Sequence, residues 1–110
     1  MRVIVVTTEN LPGYVIEEAL GSVFGLVVRS RGLGGNIAAG FRSLVGGEIK
    51  EYTEMLEDAR KQAIDRLVAN AAKMGADAVT MMRFDSSEVG QTMSEIVAYG
   101  TAVKVRKATS

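Results

Sequence analysis

The sequence predicts an α+β fold in which a largely antiparallel sheet packs with one short and one long helix. Three observations predict it: an N-terminal apolar run, a stretch from about Lys50 to Met74 whose apolar residues recur every three or four positions, and an alternating tract near the C-terminus. Strand patterns at both ends of a helical middle are the arrangement expected of an α+β chain. A length of 110 residues suits a single domain, 1–110.

Val3-Ile4-Val5-Val6 reads as a short strand, and Leu11-Pro12-Gly13 as the turn after it, because Pro presets one backbone angle and Gly relaxes the next. The segment from Tyr14 to Arg29 allows two readings. Tyr14 to Leu20 has the pattern of a helix capped by Gly21, whereas Gly21 and Gly25 flanking Val23-Phe24, with Leu26-Val27-Val28 beyond, fit a long bent strand with glycines at bulges. The second reading is preferred.

Residues 31 to 35 are a glycine-rich loop, and Asn36 is a good cap for a following helix. Ile37, Phe41, Leu44 and Val45 form one apolar stripe on a helix of about ten residues. Gly46 stands where the chain must leave that helix, as the pair Gly46-Gly47 would allow.

The long helix carries Tyr52, Leu56, Ala59, Ala63, Leu67, Ala71 and Met74 on one face, while Glu51, Glu54, Asp58, Lys61, Asp65 and Lys73 lie on the other. Gly75 ends it. Arg60 lies four residues from both Leu56 and Ile64, and its stem is expected to run along the surface with its charge in water. Two strands follow, Ala78 to Asp85 and about Met93 to Val105, joined by residues 86–91. In the second, Val97, Tyr99, Thr101, Val103 and Val105 alternate with Ala98, Gly100, Ala102 and Lys104, giving the sheet one bulkier face.

Composition narrows function by exclusion. Acidic and basic residues balance at 13 each, which leaves no excess charge for nucleic acid or an anionic membrane. The cluster Lys104, Arg106 and Lys107 reads as a solvated strand end. There is no Cys and no His, so disulfides, thiol nucleophiles, imidazole bases and the usual zinc ligands are excluded. The run Val3 to Val6 is too short for a signal-peptide core or a membrane span, and a cytoplasmic protein is expected.

Phosphate motifs fail on inspection. Gly35 and Gly40 have the spacing of a Walker loop, but Phe41 and Arg42 stand where Lys and Ser or Thr are needed. Gly32 and Gly34 begin a dinucleotide fingerprint that Ile37 breaks. Glu51, Glu54 and Asp58 share a helix face and would suit a hard divalent cation, although such a run is usually just a wet face. Met81 and Met82 point to opposite sides of a strand and cannot chelate one ion together. No serine has a base to activate it, and no enzyme is expected.

The stretch NIAAGFRSLVGGEIKEYTEMLEDARKQAIDRLVANAAKMGADAV, with YGTAVKV after it, resembles the YbjQ family of small bacterial and archaeal proteins. The resemblance runs from about Tyr14 onward. It is most specific at Arg42 to Gly47, Tyr52 to Arg60, Gly75 to Val79 and Gly100 to Val103. That family is described as heavy-metal-binding and is of unknown function; the resemblance implies a β-rich subunit with helices, assembled as a homopentameric ring. A chain without Cys or His lacks the soft ligands that heavy metals favour. Assembly does fit the small residues Ala38, Ala39 and Gly40 and the need to cover strand ends.

The expected function is therefore a non-enzymatic homo-oligomeric module, a pentamer, that binds a small ligand or ion at subunit junctions through Asn36, Arg42, Gly46, Gly47, Tyr52 and Arg60. The alternatives are a divalent-cation protein, in which a ring of copies gathers Glu48, Glu51 and Glu54, and an enzyme using Arg60 or Tyr52.

Overall fold

A computed structural model describes residues 2–30, 50–90 and 93–109, with side chains for all of these except residues 30 and 50–52. Its elements run β1 (Ile4–Val5), β2 (Tyr14–Ser30), α1 (Lys50–Lys73), β3 (Ala78–Val89) and β4 (Met93–Lys107). The sheet order is β1-β3-β4-β2. β1 and β3 are parallel, while β3 with β4 and β4 with β2 are antiparallel, so the sheet is largely antiparallel as expected. The short helix expected after Asn36 lies outside the described residues.

The turn at Pro12-Gly13 forms as read: Gly13 takes a φ of 86°, and the Tyr14 amide donates to the Leu11 carbonyl at 3.0 Å. From Tyr14 the chain enters a strand of 17 residues, not a helix, because its amides pair along β4. At about 3.3 Å per residue such a strand reaches some 56 Å, which accounts for the molecule's longest dimension of 57 Å. The register slips between Ile16 and Glu18 and again between Ala19 and Gly21, where Gly21 has a φ of 123°.

Gly25 is no bulge. The pairing runs through it unbroken to Ala98, and α1 instead lies on it so closely that an added Cβ would fall on the Ala63 carbonyl oxygen and the Leu67 amide nitrogen. Alanines make the approach possible from the other side: Ala59, Ala63 and Ala71 are buried against the sheet beside Leu67. α1 ends with paired reverse bonds, Ala76 amide to Ala71 carbonyl at 3.1 Å and Gly75 amide to Ala72 carbonyl at 3.0 Å, with Gly75 at a φ of 81°. This is the glycine-capped helix end the sequence predicts.

Leu56 and Met74 depart from the expected core face, at 42% and 37% exposed. At roughly 100° per residue both point the same way as the buried alanines, so orientation is not the cause. Met74 lies past the last turn, and Leu56 overlooks a cavity between α1 and the sheet.

The alternation in β4 also resolves unexpectedly. Its small residues Ala98 and Ala102 face α1, together with Val23, Val27, Val79 and Ile96. The bulkier residues face the other way. Half of that far face is covered by the N-terminal segment, whose Leu11 is buried with Ala78 and Val103 and is bordered by Ile4, Val6, Tyr14 and Val105. On the other half Phe24 pairs with Tyr99 and Leu26 with Val97, and Phe24, Leu26, Val28 and Tyr99 remain exposed, at 54%, 45%, 49% and 39%.

β3 carries one irregularity. Met81 has a φ of 56°, and the register against β4 jumps between Thr80 and Arg83. The extra residue turns Met81 outward and Met82 into the core, while their amides bond to the carbonyls of Thr8 and Val6. Gly100 sits opposite, where a Cβ would come within 2.8 Å of the Thr80 carbonyl oxygen.

Candidate functional site

Of the residues expected to bind a ligand, Asn36, Arg42, Gly46 and Gly47 lie outside the described residues, as does Glu48 of the expected cation set. Tyr52 and Glu51 belong to α1, with side chains outside the description. Arg60 and Glu54 can be placed.

Arg60 projects from the exposed flank of α1, and its guanidinium carbon stands 5.5 Å from the centroid of the Phe84 ring on β3. That is cation–π geometry, in which the ring quadrupole attracts the charge while the planar fork keeps its edge in water. The expectation of a surface-lying stem holds, and the aromatic partner is an addition to it. Arg60 also borders the cavity under Leu56, a groove of about 200 Å³ whose other walls are Ser86, Ser87, Glu88 and Ser94, with Ile96 as apolar floor.

The groove exists because β3 runs on to Val89. Residues 86–88, expected in a loop, are strand residues whose pairing with Ile96, Glu95 and Ser94 is regular. Ser86 then lies beside Ile96 on the helix-facing side, where hydroxyls and the Glu88 carboxylate stand across from the Arg60 guanidinium. Such a site can offer charge-assisted donors from one wall and hydroxyl groups from another. Alternation of Phe84, Ser86 and Glu88 at a period of two was the available signal for these residues.

Three bonds fix α1 to β2. Arg29 on β2 makes an ion pair with Asp58 at 2.6 Å. Arg66 and Asn70 donate to the Leu26 and Phe24 carbonyls at 2.6 and 2.7 Å. β2 is an edge strand, so these side chains occupy carbonyls that would otherwise be open to another strand.

The donor chemistry does not fit a heavy metal. The chain has no Cys or His, and among the described residues no three Asp or Glu side chains converge. Glu54 stands exposed on α1. Met81 and Met82 face opposite sides of β3. No helix among the described residues is long and apolar enough to cross a membrane.

Comparison with known proteins places this geometry among relatives. Residues 3–106 match the model of the YbjQ_1 family, described as "Putative heavy-metal-binding". A UPF0145 protein of Bradyrhizobium sp. (strain ORS 278) is 67% identical over 96% of this chain and 95% of its own. One from Sulfurisphaera tokodaii is 60% identical over 96% and 92%. A crystal structure from Pediococcus pentosaceus, described as a protein with unknown function of the DUF74 family, superposes with a TM-score of 0.62 at 17% identity. It covers 94% of this chain and 98% of that one, and shows that the fold is shared.

Proposed function

The chain belongs to the YbjQ family, and from that premise we propose that it is a non-enzymatic subunit of a cytoplasmic homopentamer that binds a small polar ligand at subunit junctions, with Arg60 as the charged anchor. The observation that carries the assembly is the half of the far face that no described residue covers. Phe24, Leu26 and Val28 on β2 and Tyr99 on β4 form one apolar strip beside Val97, on a molecule only 20 Å thick in its shortest dimension. Leaving that strip in water forfeits the burial its side chains would gain, roughly 1.5–3 kcal/mol for each large apolar residue. Another copy, laid against it, recovers that stabilisation.

The ligand reading rests on the groove beside Arg60. It lies on the helix-facing side at the end of the sheet whose far face carries the apolar strip, so subunits docked through that strip would bring this end of the sheet to the junction. Mass spectrometry of the intact assembly under non-denaturing conditions tests both parts. A mass of five chains with an additional small molecule, lost in Arg60→Ala, supports the reading; a single-chain mass overturns the assembly, and an assembly carrying nothing overturns the ligand.

A further inference from the structure

A second cavity, of about 290 Å³, opens at the opposite end of the sheet, and its rim carries Arg2, Arg106 and Lys107 together with Tyr14 and Asp77. We propose that it binds a small oxyanion, a phosphate group either free or as the end of a phosphomonoester. This site is independent of the groove at Arg60.

The cations come together through topology. Arg2 precedes β1, whereas Arg106 and Lys107 close β4, and they meet because β1 lies parallel to β3 while Lys107 pairs with Tyr14 at the start of β2. In a chain whose charges balance overall, three basic side chains around one cavity are a local excess. Asp77, whose Oδ2 accepts a bond from the Val105 amide at 3.0 Å, offsets one of the three charges. Glu17 pairs with Arg106 at 3.3 Å, but both side chains are about half exposed, and an exposed pair of this kind is weak and exchangeable.

Arg2, Arg106 and Lys107 against Asp77 leave the cavity lining at plus two, and at plus one while Glu17 holds Arg106. A phosphomonoester brings roughly 1.5 to 2 negative charges near neutral pH. Arginine forks bind phosphate oxygens in pairs, lysine adds a point charge, and the Tyr14 hydroxyl is a further donor. Ile4 and Val105 supply apolar walls that limit competing water. The volume exceeds that of a bare phosphate and leaves room for a small organic group beside the Tyr14 ring.

Calorimetric titration of the full chain with inorganic phosphate, and separately with phenyl phosphate, tests this against chloride at equal ionic strength. Saturable binding is expected. Equal affinities identify the free anion, and tighter phenyl phosphate binding identifies the phosphomonoester. Arg2→Gln with Lys107→Gln should weaken binding about tenfold or more, as loss of charge-assisted contacts does, while Lys61→Gln on α1 should bind as the native chain does. Lys107→Gln alone, an exposed change that spares the fold, should weaken it in the same direction. No saturable heat with either probe, or undiminished binding by the folded variants, overturns the proposal.

Discussion

The Cα of Gly25 on β2 lies against the backbone of Leu67 on α1 with no space for a side chain between them. Helix and strand therefore meet backbone to backbone, and the alanines at 59, 63 and 71 extend the same close contact along the helix. Gly25→Ala should destabilise the protein by about 3 kcal/mol, at the upper end for overpacking, because the atoms in the way are main chain. Gly13→Ala, where φ is 86° and nothing lies within 4 Å, should cost only about 1–2 kcal/mol through backbone strain. Denaturant unfolding of the two variants measures the difference, and equal losses would contradict the backbone contact between α1 and β2 at Gly25.

Asn70→Ala removes the donor that occupies the Phe24 carbonyl. A net loss of about 1 kcal/mol is expected. Hydrogen exchange should quicken at the β2 amides while β3 amides keep their protection, since the bond clips only the outer edge of the sheet. Uniform exchange across both strands would contradict the clip.

Arg60→Ala should cost roughly 0.5–1 kcal/mol, the range of a cation–π contact at an exposed site. Arg60→Lys keeps the charge and loses the planar stack, so it should recover part of that loss. A melt of Arg60→Ala unchanged from the native chain would show that the Phe84 contact contributes nothing.

Zinc or cadmium should leave the thermal transition where it is. A metal held by the native state at a hundred times its dissociation constant would add about 2.7 kcal/mol of stability, an increment that scanning calorimetry resolves readily. A rise of that size would contradict the reading of the donor set.

Much of the architecture was legible in the sequence. The long helix announced itself through period and a terminal glycine, and the end strands through alternation. What stayed hidden depended on distance. Alternation in β4 shows two faces but not which one meets a helix; a closely packed helix selects the small residues Ala98 and Ala102 over the bulkier Val97 and Tyr99. Gly25 carried the same ambiguity, since a glycine in a strand serves a bulge or a close approach equally well. Ser86 to Glu88 read as a loop because their polarity is that of a turn, although here it belongs to the wall of a groove. The meeting of Arg2 with Arg106 and Lys107 follows only from the parallel placement of β1, which no local pattern encodes. Most of the expected ligand set, from Asn36 to Gly47, lies outside the described residues.

Sedimentation equilibrium of the native chain beside Leu26→Glu tests most directly whether the apolar strip joins subunits. The native protein should sediment at five times 11.7 kDa, and Leu26→Glu, with unchanged circular dichroism, should fall toward the mass of one chain because a carboxylate buried in an apolar contact is strongly unfavourable. A native protein at single-chain mass, or a Leu26→Glu variant that stays fully assembled, would contradict the account.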